Sequence, residues 1–468
     1  MKATVIRSGW MQENGLRLDG GPYLSGAPEA KAILRKLTAR KDRLQDVTRG
    51  RMAGIFNGPR FARAYVDDPR YGAPFLGSTD ILAADLSHLP LISSKQLAGM
   101  PELIVQENWT LITCSGTVGR MAYCRRDMAG MAGSQHFMRV VPDPDRIPPG
   151  YLYAFLASRF GVPLVVSGTY GAIIQHIEPQ HIADLPVPRL GHRTEQAAHE
   201  HVTSAACARA RASQLLADAS ERFALQLGLS RERPLRGYGR PATHVVRSSG
   251  LARRLDAFYY APWNVDARTA WDSSSAPEMV PLGDASAQLY IPGIFKRQYA
   301  EDPAHGYPYL TGSSVYELAP TSDRYLLRRI ADSGQLVLRE GMVAIQDSGQ
   351  LGGLIGRAVG VGSYLDGFAA TNNMVRIVPR SRTDQGYLLA LLRSEYGLRL
   401  LCREATGSSI PHLEEGRVSR IMVPWPDATI REEVASPVLD ALSLRDQACE
   451  HERAAIELVE ACIEEDTP

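Results

Sequence analysis

The stretch Arg63-Ala64-Tyr65-Val66-Asp67-Asp68-Pro69 decides how this chain is read, because it returns as Arg297-Gln298-Tyr299-Ala300-Glu301-Asp302-Pro303. The displacement is 234 positions (297 − 63), and Pro74-Phe75-Leu76 returns at the same displacement as Pro308-Tyr309-Leu310. Solenoid repeats are far shorter than this, so a period of this size marks a duplicated domain.

Working outward, the echo covers nearly the whole chain. Val5-Ile6-Arg7-Ser8 matches Val245-Val246-Arg247-Ser248, Arg17-Leu18-Asp19 matches Arg254-Leu255-Asp256, and Tyr23 has counterparts in Tyr259 and Tyr260. Gly54-Ile55-Phe56 pairs with Gly293-Ile294-Phe295, Ser115-Gly116 with Ser348-Gly349, and Arg139-Val140-Val141-Pro142 with Arg376-Ile377-Val378-Pro379. From Gly150-Tyr151-Leu152 and Gly386-Tyr387-Leu388 onward the displacement stays at 236 (386 − 150), through Gly161 and Gly397, Gly171 and Gly407, His176 and His412. Two homologous halves follow, roughly 1–235 and 236–468.

Each half has three parts. A leading segment carries Arg-Leu-Asp and an aromatic. A mixed region follows, with short β-branched runs that predict strands, among them 103–105, 110–113, 137–141, 336–338, 342–345 and 374–378. Residues 150–158 and 386–394 predict short helices. The third part, after the stops Leu185-Pro186-Val187-Pro188 and Met422-Val423-Pro424-Trp425-Pro426, is a long helix. Ala198, Val202, Ala205, Ala212, Leu216, Ala219 and Phe223 recur at heptad steps, with Arg209 in the missing seam position. Val434, Val438, Ala441, Ala448, Ala455, Val459 and Cys462 do the same, with Arg445 at the place equivalent to Arg209. About 36 residues at about 1.5 Å each make a rod of about 54 Å. Two copies of one seam predict mutual, pseudo-twofold packing.

Length and composition suit a soluble protein with two large domains, and no apolar run is long enough to span a bilayer, so a cytoplasmic location and no membrane partner are the default expectations. The six cysteines form no CxxC pair and do not match between the halves, so neither zinc site nor disulfide framework is expected. The net charge of +1 hides polarity. Residues 31–51 hold eight Lys/Arg against Asp42 and Asp46, 231–254 hold seven Arg against Glu232, and 450–466 hold seven acids against Arg453. A solvated surface is the plain explanation. The sharper one is a basic face for phosphates with an acidic terminus kept away from it.

Catalytic motifs are weak. The single Pro-Pro, Pro148-Pro149, precedes Gly150 and not the aromatic that a DNA amino-methyltransferase needs, and Gly116-Thr117-Val118-Gly119 lacks a phosphate-loop lysine. Asp19, Glu29 and Lys31 could make a loose magnesium site, but Asp256 repeats Asp19 with no acid-x-Lys after it, which favours a structural Arg–Asp role. His176 and His412, one per half, suit turn capping or DNA contact better than metal or acid–base work.

The doubled order of these weak motifs resembles the DNA-specificity subunit of Type I restriction–modification systems. The resemblance covers nearly all of the chain. It is carried by Arg254-Leu255-Asp256 with Tyr259-Tyr260, by Pro74-Phe75-Leu76 and Pro308-Tyr309-Leu310, by Ser115-Gly116 with Gly119, by Thr371-Asn372-Asn373 before Val375-Arg376, by the glycine turn Gly407-Ser408-Ser409-Ile410-Pro411-His412-Leu413, and by the closing Pro-x-Pro. The segment 1–53 is longer and more basic than the family pattern. The resemblance implies an α+β fold of two target recognition domains joined by two long antiparallel coiled-coil helices: recognition domain 1 over 1–190, helix 1 over 191–230, recognition domain 2 over 231–426 and helix 2 over 427–468. It implies a non-catalytic phage-defence subunit that binds double-stranded DNA at a bipartite, asymmetric target and positions two methyltransferase subunits and the restriction motor subunits. S-adenosylmethionine, Mg and ATP belong on those partners, with no cofactor on this chain. The helical pair sets the gap between half-sites. The alternatives are a stand-alone DNA-modifying or DNA-cleaving enzyme, or a similar adaptor in another prokaryotic DNA-defence complex.

Within that expectation the polar loops that differ between halves are the base-reading candidates. They are Ser115, Thr117, Ser134, Gln135, His136, Tyr170, Gln175 and His176 in the first half. In the second they are Gln346, Ser348, Thr371, Asn372, Asn373, Thr406, Ser408, Ser409 and His412. The phosphate candidates are Lys36, Arg40, Arg60, Arg63, Arg236, Arg240, Lys296 and Arg297.

Overall fold

The computed structural model describes residues 5–6, 8–13, 20–169, 175–229, 243, 245–252, 254–276 and 278–466. It divides into two compact units, one formed by residues 1–210 with 447–468, the other by 211–446.

Unit 1 carries ten strands: β1 (Lys41–Arg43), β2 (Ile55–Asn57), β3 (Tyr65–Val66), β4 (Gly72–Leu76), β5 (Leu91–Ser93), β6 (Thr110–Thr113), β7 (Met121–Tyr123), β8 (Ala132–Gly133), β9 (Phe137–Val140) and β10 (Pro186–Pro188). Unit 2 also carries ten: β11 (Met279–Pro281), β12 (Gln288–Tyr290), β13 (Tyr299–Ala300), β14 (Gly306–Leu310), β15 (Tyr325–Leu327), β16 (Val343–Gln346), β17 (Ala358–Gly360), β18 (Ala369–Ala370), β19 (Met374–Val378) and β20 (Met422–Pro424). Their pairing is the same in both. The sheets run β2-β9-β6-β7, β3-β5-β4-β8 and β1-β10 in unit 1, and β12-β19-β16-β17, β13-β15-β14-β18 and β11-β20 in unit 2. Even the one parallel pairing recurs, Phe75 with Ala132 and Tyr309 with Ala369. The expected α+β duplication is therefore present strand by strand.

Three details depart from the sequence reading. First, Ile55 is 2% exposed in β2, whereas Ile294 is 96% exposed and lies outside any strand. The strand partners show the true match: Ile55 faces Val140 and Leu289 faces Ile377. The displacement of 234 (289 − 55) thus begins earlier than the Gly-Ile-Phe echo suggested. Second, the runs 103–105 and 336–338 are not strands. Each makes one isolated bridge, Ile104 to Ala132 and Val337 to Ala369. Third, the proline-rich stops are themselves strands, β10 and β20, closing on β1 and β11.

The short helix Pro149–Ala157 is almost wholly buried because nearly every side chain there is apolar, whereas Arg382–Arg393 opens on the polar Arg382-Thr383-Asp384-Gln385 and buries the apolar run 387–392. Their repeated glycines have a steric reason. A Cβ on Gly386 would stand 2.7 Å from the Cβ of Ala435, and one on Gly150 2.8 Å from Nδ1 of His199, so only glycine lets each short helix lie on a long one. The hydroxyl of Tyr387 donates to the carbonyl of Pro424 at 2.7 Å, and Tyr151 makes the same bond to Pro188.

The long helices span His192–Gln226 and Ala428–Glu465 and run antiparallel. In unit 1 Thr194 lies against Cys462 while Arg209 reaches Glu452, and in unit 2 Gln226 donates to Glu433 at 2.8 Å. The expected apolar seam residues and Arg209 are buried, with two departures: Arg445, the counterpart of Arg209, is only half-buried, and Cys462 is half-exposed while its neighbour Ile463 takes the inward place. Glu452 fills the seam position between Ala448 and Ala455. Arg209 and Glu452 form a buried ion pair, and Tyr153 donates its hydroxyl to the same carboxylate. The acidic terminus is not held apart from the basic segment, as the charge pattern suggested. Asp466 accepts from the Thr38 hydroxyl at 2.5 Å and the Ala39 amide at 3.0 Å, and Glu460 and Glu464 meet Arg159.

Burial alone raises the pKa of Glu452, but the Arg209 guanidinium and the Tyr153 hydroxyl outweigh it and hold the carboxyl below its ordinary 4.5. A depressed carboxylate contributes stability at neutral pH and loses it as pH falls through the folded value, here below 4.5. Glu452→Ala, which strands the arginine, is expected to cost about 3–5 kcal/mol in urea unfolding of the full chain. The double change Arg209→Leu with Glu452→Leu should recover most of that loss and flatten the acid limb of the stability profile.

Candidate nucleic-acid interface

Antiparallel pairing puts the end of one strand beside the start of its neighbour. In unit 1, Thr113 at the end of β6 faces Phe137 at the start of β9; in unit 2, Gln346 faces Met374. The loops that follow β6 and precede β9 must therefore share one end of the sheet, and β2 and β12 also leave their sheets at that end. A further segment joins them in each unit, since Ser115 bridges to His176 and Ser348 bridges to His412. The structure thus gathers most of the sequence-derived base-reading candidates into two matched clusters.

In unit 1 the Ser115 hydroxyl meets Nδ1 of His136 at 2.8 Å, the Cys114 amide donates to the His136 carbonyl, and Gln135 approaches Nε2 of His136 at 3.1 Å. Thr117 and Gln175 are exposed; Ser115, Gln135, His136 and His176 are half-buried. In unit 2 the Asp347 amide donates to the Asn373 carbonyl, Gly349 to Pro411 and Leu413 to Asp347, while Thr406 and His412 exchange both backbone bonds. Asn373, Ser408, Ser409 and His412 are exposed, Asn372 and Thr406 are half-buried, and Gln346 and Ser348 are buried. Gly407 has φ +101, and a Cβ there would lie 2.9 Å from the Ile410 carbonyl, so this turn requires glycine.

Ser134 and Thr371 point inward. Each is buried, and each accepts at 3.3 Å from the amide two residues on, His136 and Asn373. Their hydroxyls shape the turn that presents the next two side chains.

What shapes the cluster most was visible in the sequence only as a repeated Arg-x-Val-Pro. Arg139 is buried and donates to the carbonyls of Ser134, Phe137 and Gly133 at 3.1, 3.0 and 2.9 Å. Arg376 does the same for Thr371, Met374 and Ala370 at 3.0, 3.3 and 3.4 Å. Burial pushes each guanidinium down to about 10. No residue-type rule marks an arginine inside a strand as a loop clamp; only its carbonyl partners do.

The phosphate candidates separate. Arg60 and Arg63 are exposed on the segment after β2. His136 feels them: burial first, then Arg63, His176 and Arg60, hold its pKa below the ordinary 6.5. Arg63 lies over the Phe75 ring at 5.0 Å, and its counterpart Arg297 lies over Tyr309 at 6.0 Å and donates to that hydroxyl at 3.1 Å. Lys296 is exposed beside it. Lys36 and Arg40 are not brought to this end. They flank β1, which pairs with β10 where the first long helix begins, and Arg40 pairs with Asp42 at 2.7 Å. Tyr170, Arg236 and Arg240 lie outside the described residues, as does Asp19 of the alternative magnesium site.

Among the described residues no three His, Cys, Asp or Glu side chains are gathered to hold a metal ion, and no single helix is long and apolar enough to cross a membrane.

No protein-family model matches the chain, and no curated protein matches it. Among solved structures, the chain is similar to the S subunit of a Type I restriction–modification system from M. genitalium, at 12% identity and TM-score 0.37, over 92% of this chain and 96% of that one. It is also similar to the HsdS subunit of Thermoanaerobacter tengcongensis, at 14% identity and TM-score 0.29, over 92% and 96% of the two chains. A third similar structure, described as concerning complex assembly and conformational transition of the type I R-M system, shows 14% identity and TM-score 0.28 over 92% and 97%. What the chain does is therefore read from its own residues.

Removing a clamp leaves several buried carbonyls without donors, at about 1–3 kcal/mol each. Arg139→Met is expected to abolish amide-exchange protection over 133–137 and leave 370–374 unchanged; Arg376→Met should do the reverse. Exchange measured by mass spectrometry checks both, and unchanged protection in either variant would show that the guanidinium does not hold its loop.

Proposed function

We propose that this chain is the non-catalytic DNA-specificity component of a restriction–modification assembly. Its two recognition domains, 1–190 and 231–426, each read one half of a bipartite, asymmetric target. The helical segments 191–230 and 427–468 seat methyltransferase subunits and, through them, restriction subunits. S-adenosylmethionine, Mg and ATP belong to those partners.

One observation carries this reading. A single frame is built twice, and at the same end of each copy it presents loops of unlike polar chemistry. Gln135 and His136 in unit 1 stand where unit 2 has Asn372 and Asn373, two positions after the equivalent clamped carbonyls of Gly133 and Ala370. Such side chains offer the paired donors and acceptors that distinguish base edges. The exposed cations Arg60, Arg63, Lys296 and Arg297 on neighbouring segments suit the phosphates alongside, which position a reader without carrying sequence information.

The test is target selection from randomised duplexes by the chain assembled with its methyltransferase partners. Changing Gln135 or Gln175 to Ala is expected to relax one half-site, and changing Asn372 or Ser408 the other, by about 1–3 kcal/mol at one or two positions. A change in both half-sites from a single loop would refute the two-reader division.

Salt and pH supply an independent check. Each of Arg60, Arg63, Lys296 and Arg297 that neutralises a phosphate adds about 0.9 to the slope of log affinity against log salt, whatever the sequence. Lys36 and Arg40, at the other end of the sheet, are expected to contribute less. The His136 pKa is lowered first by burial and then in part by Arg63 and Arg60. A phosphate engaging those arginines removes that repulsion, so binding should take up a proton. Affinity is then expected to rise as pH falls toward the lowered His136 pKa of the free chain, below 6.5, by at most a factor of about ten per pH unit, and His136→Gln should abolish the rise.

A further inference from the structure

The equivalence of the two units makes one difference stand out. Between Leu289 and Tyr299 the chain runs without gap against Ile55 to Tyr65, so Ile294 occupies the place of Arg60. Arg60 is an exposed cation whose charge helps lower the His136 pKa. Ile294 is an isoleucine, 96% exposed.

This exposure does not come from a loose segment. Pro292 is buried just before it. Phe295, just after it, packs edge-on against Tyr309 with ring centroids 6.3 Å apart and joins the small core with Leu326 and Leu336. The Ile291 amide donates to Glu415 at 3.0 Å, which ties this segment to the one carrying 406–412. That neighbouring turn exposes a second isoleucine, Ile410, at 59%. A chain anchored on both sides and still presenting a bare branched aliphatic side chain leaves apolar surface in water for which folding offers no gain.

The occupant is set by what surrounds it. Ile294 is followed by the exposed cations Lys296 and Arg297, and Asn373, Ser408 and Ser409 are exposed at the same end of the sheet. Cations and amide side chains suit a nucleic-acid duplex. Within a duplex the exposed apolar group on a major-groove base edge is the thymine 5-methyl. Building on the proposed function, we infer that Ile294 is an apolar base reader: it packs on a thymine methyl in the half-site of unit 2, where unit 1 uses a charged residue at the same place. Unit 2 therefore prefers thymine over cytosine and over uracil at one position by methyl contact alone.

The experiment replaces thymine by uracil, one position at a time, in the duplex selected by the assembled complex, and measures affinity for wild type, Ile294→Ala and Ile294→Val. Changing Asn372 first identifies the half-site that belongs to unit 2. At one thymine of that half-site, wild type is expected to lose about fourfold on removal of the methyl, the equilibrium factor for burying one carbon-sized apolar group. Ile294→Ala should lose about as much on the thymine duplex and nothing further on uracil, while Ile294→Val keeps the discrimination. Equal weakening on thymine and uracil, or on every sequence alike, would overturn the methyl contact in favour of a wedge or a nonspecific apolar patch. Absence of thymine from that half-site would overturn it as well. These results leave the two-reader function intact; a complex that selects no sequence at all removes both.

Discussion

Everything at the candidate interface depends on a guanidinium buried inside a sheet. Arg139 and Arg376 each collect carbonyl oxygens from the turn before their own strand and from that strand's first residue. A carbonyl is present whatever the side chain, so the clamp fixes the path of the backbone and is indifferent to the residues it displays. Burying a guanidinium is costly unless its protons are satisfied. Here the terminal nitrogens are satisfied by groups that every sequence supplies, while Nε of each arginine has no partner among the described residues. That is why the frame recurs between the units while Gln135-His136 and Asn372-Asn373 differ.

The same logic explains where chemistry concentrates. β6 with β9, and β16 with β19, bring two loops to one end by pairing alone, and the bridges from Ser115 to His176 and Ser348 to His412 add another. Segments far apart in sequence then act as one surface. Ser134 and Thr371 turn inward to form the presenting turns, leaving their neighbours to face outward. Positioning and display are carried by different residues, a division that suits recognition surfaces built on rigid scaffolds.

Much of this was legible in the sequence. Constant displacement survives because frame residues are constrained by packing: Gly150 and Gly386 lie against long-helix residues at a distance no side chain could occupy, and Tyr151 and Tyr387 fasten to equivalent carbonyls. The heptad seam was legible for the same reason, down to the buried Arg209, although its counterpart Arg445 is only half-buried. What the pattern hid was partnership. Arg209 could be seen at the seam, but Glu452 lies 243 positions away in sequence and Tyr153 sits on a different helix, and only folding joins the three. Local echoes also mislead where the frame slips: Gly293-Ile294-Phe295 imitates Gly54-Ile55-Phe56, yet the strand register assigns Leu289 to the place of Ile55. Charge runs were the poorest guide, because Lys36 and Arg40 sit at the opposite end of β9 from the loops and an acidic side chain from the far end of the chain closes on Thr38.

The unequal make-up of the two units bears on how the protein is born. Unit 2 is continuous, 211–446, whereas unit 1 needs residues 447–468 as well as 1–210. Domains usually mature in the order in which the ribosome releases them. Here that order is inverted. Every residue of the later unit has emerged before the earlier one receives its closing helix, and until then Arg209 and Tyr153 have no Glu452 and Thr38 no Asp466. The amino-terminal unit waits, unfinished, for residues 447–468, so a product halted before residue 447 carries a complete second unit and an open first one. Loss of residues 447–468 thus disables the unit that opens the chain and spares the one that immediately precedes the cut.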